Sequence, residues 1–123
     1  MIDVRGKKIF LSGPMTGIDL YNAPAFAAVH ARLKLMGCGE VFNPAIEWLI
    51  DDSDSEDRLR YLRRCVARLG GGPFSYSEDS HWDMLVSLPG WERSDGARLE
   101  RWLAESLGIE CHDLDEVLEE QSC

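Results

Sequence analysis

The stretch KIFLSGPMTG, from Lys8 to Gly17, decides the fold of this 123-residue chain. It begins with a short apolar run that a Gly-Pro pair ends abruptly, which is typical of a buried strand followed by a turn. A helix is predicted from Ala25 to Met36, because its apolar residues have helical spacing and because Asn22 and Pro24 offer a cap and a first turn. A second short strand is predicted at Glu40 to Phe42, so the first third of the chain reads strand, helix, strand.

The same alternation continues to the end of the chain. Strands are predicted at Met84 to Leu88 and Ile109 to Cys111, and helices at Arg58 to Leu69, Gly96 to Leu107 and Asp113 to Glu120, the last with an Asp cap. Alternating strands and helices imply a parallel sheet covered on both faces. The predicted fold is therefore a three-layer α/β domain of the flavodoxin or Rossmann-like type, with four to five short strands.

Apolar spacing also predicts which faces of the helices are buried. In the helix from Gly96 to Leu107, the residues expected to face the core are Leu99, Trp102, Leu103 and Leu107. In the helix from Arg58 to Leu69, they are Leu59, Leu62, Val66 and Leu69.

Composition limits both the architecture and the partners. With 45% hydrophobic residues and no long linker, residues 1–123 are expected to form a single domain with an ordinary core. The net charge of −9 argues against binding to a nucleic-acid polymer, which is normally held through cationic side chains. The negative charge does not exclude the binding of one small nucleotide through backbone amides.

The chain carries no signal for a membrane, a metal or a cofactor. The N-terminus has no apolar signal segment, and no run approaches the roughly 20 apolar residues of a membrane span. Four cysteines are present without C-x-x-C or zinc-finger spacing, namely Cys38, Cys65, Cys111 and Cys123. We expect a cytoplasmic protein with reduced thiols, no membrane partner, no metal and no cofactor.

Two loops are expected at the edge of the sheet where ligands bind, since each follows the carboxyl end of a strand. The first is Gly13 to Gly17 and the second is Pro89 to Gly96. The first loop matches neither G-x-G-x-x-G nor a P-loop. A plain turn that needs glycine is as good an interpretation of it as a ligand loop.

The second loop leads into SDGARLE, which runs from Ser94 to Glu100. Ser94 is a candidate helix cap, and Gly96 would let an anion approach the free amides of the first turn. Glu100 lies too far from Ser94 to form a capping box. It either faces a ligand or is an exposed glutamate paired with Arg98 or Arg101.

Four stretches together resemble the nucleoside 2-deoxyribosyltransferase-like superfamily: KIFLSGPMTG, YNAPAF, VFNPA and LPGWERSDGARLE. They cover residues 7–50 and 82–112 in the order that the superfamily has them. The branch most similar to the chain consists of small, often phage-borne proteins. The resemblance implies cleavage of the N-glycosidic bond of a deoxynucleoside or its 5′-monophosphate, by hydrolysis or by transfer of the deoxyribosyl group, in homodimers or higher homo-oligomers.

The resemblance also implies roles for residues. Glu100 would be the nucleophile of a retaining mechanism that passes through a covalent glycosyl-enzyme. Ser94, six residues earlier, would hold the 5′ end of the ligand, and Ser94 with Gly96 matches the monophosphate N-hydrolase pattern, whereas the transferases usually have Asp. A hydroxyl and free amides bind phosphate, which a carboxylate would repel. The expected substrate-binding residues are Ser12, Gly13, Met15, Gly17, Asn43, Gly90, Trp91, Ser94 and Gly96.

Aromatic and amide side chains are candidates for the base site. Tyr21, Asn22 and Trp91 are the residues in question, although Trp91 fits the core or a dimer interface equally well.

One departure from the superfamily concerns the acid that assists the leaving base. It lies on the helix before the third strand, where this chain has Cys65, and a thiol with a pKa of about 8.5 is a poor substitute. Asp57 is too far upstream, and Asp83 is interpreted as structural. Asp79 or His81, in the long loop from Gly70 to His81, could reach the pocket instead. A catalytically silent nucleotide-binding module is therefore the alternative function.

Overall fold

The computed structural model describes residues 2–15, 18–46, 58–70 and 82–121. Its strands are β1 (Lys8–Ser12), β2 (Glu40–Phe42), β3 (Met84–Ser87) and β4 (Glu110–Asp113). Its helices are α1 (Ala23–Leu35), α2 (Arg58–Leu69), α3 (Asp95–Ser106) and α4 (Leu114–Gln121). Two short 3-10 turns precede α1 and α3, at Asp19–Asn22 and Trp91–Arg93.

The described strands form one parallel sheet with the order β2-β1-β3-β4. The chain leaves β1 toward β2 on one side and then returns to build β3 and β4 on the other. The border between β1 and β3 is therefore the topological switch point, where α/β sheets bind ligands. Ser12 and Ser87 are register partners at the carboxyl ends of these two strands.

Helices cover both faces of the sheet, which confirms the predicted three-layer α/β fold. Ile9 and Leu11 of β1 pack with α1 and α4, in a core that also contains Phe26, Leu33 and Val117. The alternate residue Phe10 points to the opposite face. There it packs in a second core between the sheet and the helices α2 and α3, with Phe42, Cys65, Leu69, Trp82, Leu85, Ala104 and Ile109.

Aromatic rings hold the second core together. Phe10 stacks on Phe42 with ring centroids 4.6 Å apart, and Phe10 and Trp82 form a T-shaped pair with centroids 5.7 Å apart. The Trp82 indole N–H donates to the Arg68 carbonyl at 2.8 Å, which ties α2 to the start of β3. Cys65 is almost fully buried in this cluster.

The predicted buried face of α3 is wrong. Leu99, Trp102 and Leu107 are 40%, 63% and 52% exposed, and Leu103 alone of the four packs partly against the second core. The residues that α3 buries are Ala97, Glu100 and Ala104. Small side chains let the helix lie close to the sheet, so its large apolar residues project outward.

Smaller differences concern the ends of elements. The fourth strand begins one residue later and ends two residues later than predicted, at Glu110–Asp113. Asp113, the predicted cap, directly precedes α4, and its Oδ1 accepts hydrogen bonds from Trp91 and Arg101. Of the predicted buried face of α2, Leu69 is buried and Leu62 and Val66 are half-buried, while the side chain of Leu59 lies outside the described residues.

Candidate active site at the switch point

Glu100 lies inside the molecule, at the carboxyl end of β1. Its side chain projects from the buried face of α3 and is only 7% exposed. The hydroxyl of Ser12 donates a hydrogen bond to Glu100 Oε1 at 3.0 Å. The interpretation of Glu100 as an exposed, ion-paired residue is wrong, because Arg98 pairs with Asp95 and Arg101 pairs with Asp113.

The environment of Glu100 favours its neutral form. Burial raises the pKa of this carboxyl from its ordinary value of 4.5 to about 7, and the hydrogen bond from Ser12 offsets part of that rise. Glu100 Oε2 is buried and has no hydrogen-bond partner among the described residues. A buried oxygen without a partner costs folding energy. An oxygen kept in this state is therefore available to a ligand.

The N-terminus of α3 lies on the same side of the sheet as Glu100. Ser94 has extended backbone geometry, and its Oγ accepts a hydrogen bond from the Ala97 amide at 3.2 Å, which confirms the predicted cap. The cap uses the hydroxyl as an acceptor, so its proton can still be donated to an anion. The axial distance from Ser94 to Glu100 is about 9 Å along the helix.

The three described glycines of the two loops, Gly13, Gly90 and Gly96, differ in how their surroundings restrict a side chain. A Cβ on Gly13 would lie 2.8 Å from Leu88 Cβ, so Gly13 is needed for packing between the ends of β1 and β3. Gly90 has a φ of +88°, which favours glycine. A Cβ on Gly96 would meet only Leu62 Cδ1, at an ordinary 3.8 Å, so packing among the described residues leaves room for a side chain there.

Residues 7–113 match the family model described as "Domain of unknown function (DUF4406)". The chain belongs to the DUF4406 family. The match runs from the residue before β1 to the last residue of β4, and so includes Ser12, Ser94 and Glu100. None of the curated proteins compared with the sequence matches it significantly.

In this DUF4406 chain the first loop is tied to the start of α1. Asn22 occupies the predicted cap position of α1, but its Nδ2 donates to the Pro14 carbonyl at 3.0 Å and its side chain makes no capping bond. Met15 is buried in the core on the α1 side of the sheet. Gly17 lies outside the described residues, as does the side chain of Tyr21.

Trp91 is held at the β3–β4 side of the site. Its indole N–H donates to Asp113 Oδ1 at 3.0 Å, and the Arg101 guanidinium lies 4.3 Å from its ring centroid. Arg101 Nη1 in turn donates to Asp113 Oδ1 at 2.6 Å and to Ser87 Oγ at 3.3 Å. We call Ser87, Trp91, Arg101 and Asp113 the arginine cluster; it fixes the turn that leads into α3.

Asn43 lies at the end of β2 and caps the turn that follows. It is buried, its Oδ1 accepts from the Ala45 amide at 3.0 Å, and its Nδ2 contacts His30 Nδ1 at 3.3 Å. Burial lowers the pKa of His30, which keeps the ring neutral and able to accept this bond. The two side chains border an open apolar cleft of about 260 Å³ that is formed by α1 and the turn after β2.

Among the candidate acids, Asp83 has a structural role. Asp83 Oδ2 accepts from the Lys8 amide at 2.8 Å, at the starts of β1 and β3, which is the edge of the sheet opposite to Glu100. This confirms its structural interpretation. Asp57, Asp79 and His81 lie outside the described residues. Within those residues, no group of three or more His, Cys, Asp or Glu side chains could hold a metal ion.

The sequence did not indicate the pairing of Ser12 with Glu100 or the arginine cluster. The sequence does contain one pattern related to this site. The two central strands end in LSG and in SLPG, so each strand has a serine one to three residues before a glycine. Parallel neighbours in register place two such hydroxyls on one face of the sheet. Their partners on α3 depend on how that helix packs.

Of the described helices, none is long and apolar enough to cross a bilayer.

Proposed function

We propose that the chain cleaves the N-glycosidic bond of a deoxynucleoside 5′-monophosphate, or transfers its deoxyribosyl group, with Glu100 as the nucleophile. One observation carries the proposal: a buried carboxylate at the switch point of the sheet, with Oε1 bonded to Ser12 and Oε2 without a partner among the described residues. An internal carboxylate with a raised pKa is typical of sites that react with a ligand. The resemblance stated above supplies the reaction class.

The proposed reaction has two steps. In the first, Glu100 Oε2 attacks C1′ of the sugar, the bond from C1′ to the base nitrogen breaks, and the base leaves with its electron pair and takes a proton from water. In the second, the oxygen of a water molecule attacks C1′, that water gives a proton to the hydroxide left by the first step, and the ester bond to Glu100 breaks, which restores the carboxylate. A second base in place of water would give transfer.

The start of α3 supports a preference for a monophosphate. The first amides of a helix carry partial positive charge and bind anions, and Ser94 adds a hydroxyl proton. Gly96 leaves the backbone of this first turn uncovered by a side chain of its own. About 9 Å of helix then separates the phosphate-binding end from Glu100, and the sugar would lie between them.

A catalytically silent nucleotide-binding module is the second candidate, and Cys65 is the observation that favours it. Cys65 stands where the resemblance expects an acid, and it is packed in the second core. Among the described residues Glu100 is the only buried carboxylate. Without an acid for the leaving base, release would be slower by roughly 10²–10⁴-fold.

A panel of deoxynucleoside 5′-monophosphates tests the two candidates. The wild-type protein is incubated with each nucleotide, free base is measured by chromatography, and a second base is added to detect transfer. Glu100→Gln should abolish base release, since loss of a covalent nucleophile costs several orders of magnitude in rate. The matched control is Glu105→Gln, which changes an exposed glutamate of the same helix.

Each outcome separates the candidates. Base release by wild type and Glu105→Gln but not by Glu100→Gln supports the enzyme. Nucleotide binding without base release by any of the three proteins supports the silent module. Equal release by a folded Glu100→Gln protein contradicts the role of Glu100.

The proposal extends to assembly and location, where the resemblance implies a homodimer and the composition implies the cytoplasm. Leu99, Trp102 and Leu107 give α3 an exposed apolar side that a second copy could cover. Sedimentation equilibrium tests this part: a purely monomeric mass at micromolar concentration would contradict it.

A further inference from the structure

Two serines that are equivalent in the sheet have different partners. Ser12 and Ser87 are register partners, both are buried, and both face the α2–α3 side. Ser12 donates to Glu100 Oε1 at 3.0 Å, whereas Ser87 accepts from Arg101 at 3.3 Å. The carboxylate of Glu100 is therefore bonded to one of these two hydroxyls only.

We propose that Ser12 is a positioning residue: its hydroxyl holds Oε1 of Glu100 and leaves Oε2 as the oxygen that meets the ligand. The reaction that Oε2 would perform rests on the proposed function. The orienting bond itself is a property of the unliganded protein and can be tested without turnover.

The backbone around Ser12 gives this hydroxyl a fixed place. The Ser12 carbonyl accepts from the Leu88 amide at 2.8 Å, and Gly13 leaves no room for a Cβ against Leu88. Ser12 itself is fully buried, so water does not compete for its proton. A glutamate has three rotatable bonds, and packing alone does not distinguish its two oxygens. The hydrogen bond makes them different.

The bond also opposes the effect of burial on the charge of Glu100. A hydroxyl donor stabilises the carboxylate more than the carboxylic acid, while burial stabilises the acid. In the proposed reaction Ser12 would keep donating to Oε1, which becomes the carbonyl oxygen of the glycosyl ester formed through Oε2. When water attacks C1′ and the ester breaks, the same bond stabilises the returning negative charge.

The test compares Ser12→Ala with Ser87→Ala, since the two variants remove the same atom from paired positions. The titration of Glu100 is followed in the unliganded protein by NMR of ¹³C-labelled glutamate carboxyls, with Glu100→Gln to assign the signal. Ser12→Ala should raise the pKa of Glu100 by about one unit or more, because a hydrogen bond to a charged group is worth that much. Ser87→Ala should leave it unchanged, and Ser12→Thr, which keeps the hydroxyl, should restore it.

The second readout is the pH profile of kcat/KM for base release. In Ser12→Ala its rising limb should move to higher pH by the same amount as the carboxyl titration, with kcat reduced more than KM is raised. If Ser12→Ala does not fold, Ser12→Cys replaces it, since a thiol has a similar shape but is a weak donor and should give a smaller shift in the same direction.

The outcomes separate this proposal from the proposed function. An unchanged Glu100 titration in Ser12→Ala, or an equal shift in Ser87→Ala, overturns the role of Ser12 whatever the activity. A shift in Ser12→Ala in a protein that releases no base supports the role of Ser12 in orienting Glu100, and overturns only the proposed reaction.

Discussion

Glu100 makes the stability of the fold depend on pH, since it is buried with one oxygen unpaired among the described residues. Its pKa is about 7 in the folded protein and near 4.5 when exposed, so the folded state holds the proton more tightly than the unfolded state. Between these values the unfolded chain has lost this proton and the folded chain still carries it. The free energy of unfolding therefore falls as pH rises from about 4.5 to about 7, and the loss is complete above that range.

Glu100→Gln removes this pH dependence, because an amide has nearly the same shape and does not ionise. We expect the variant to gain on wild type as pH rises, by roughly 1–3 kcal/mol at pH 8 relative to pH 4.5. Urea unfolding of both proteins at the two pH values measures the difference, with Glu105→Gln as the exposed control. A gain of the same size at pH 4.5 and pH 8 would show that ionisation of Glu100 is not its cause.

Cys65 occupies the helix position where the resemblance expects an acid. The question is whether this position belongs to the candidate site or to the hydrophobic core. The structure packs it with Phe10, Trp82 and other apolar residues of the second core. A carboxylate there would lose its hydration among apolar side chains, so Cys65→Asp should lower stability by several kcal/mol and bring no faster base release. Cys65→Ala controls for lost packing and should cost much less. Faster base release by Cys65→Asp at an unchanged Tm would instead assign position 65 to the site.

At the scale of elements, the sequence predicts where helices and strands begin and end better than it predicts which face of a helix is buried. The ends of β1, β2 and α2 agree with the structure, because glycine, proline and abrupt changes in hydrophobicity mark them. The buried face of α3 does not agree. Its large apolar residues suggested the usual stripe, but Ala97 and Ala104 face the sheet with Glu100 between them. A glutamate on a face of alanines gives no hydrophobic signal.

In the candidate site, too, contacts within one element could be predicted from the sequence, whereas contacts between residues far apart in the chain could not. The spacing of Ser94, Gly96 and Glu100 lies within one helix, so the sequence alone predicted the cap, and the buried position of Glu100 agrees with a ligand-facing side chain. The bond from Ser12 to Glu100 joins residues 88 positions apart. It requires the register of β1 with β3 and the close approach of α3, and neither is encoded in a short pattern. The arginine cluster, which joins β3, α3 and β4, could not be predicted for the same reason.

For the molecule as a whole, charge and local structure act in opposite directions on an anionic ligand. The net charge of −9 repels a nucleotide at long range. The proposed function therefore needs a local site that overcomes this repulsion, and the first turn of α3 with Ser94 is the described feature suited to it. Binding to the folded state alone raises the unfolding temperature, which gives a readout from the whole protein without turnover.

Ser94→Asp tests this local site while keeping the fold. Asp caps helices about as well as Ser, so the variant should unfold at nearly the wild-type temperature without ligand. Its negative charge would meet the 5′-phosphate directly. We expect a deoxynucleoside 5′-monophosphate to raise the Tm of wild type by several degrees more than the matched deoxynucleoside does, and this difference to vanish or reverse in Ser94→Asp. Ser94→Asn, a neutral cap of the same shape, is the control and should keep most of the preference. Equal shifts by nucleotide and nucleoside in wild type would remove Ser94 and the first turn of α3 from phosphate binding, and would leave Glu100 as the part of the site still to be explained.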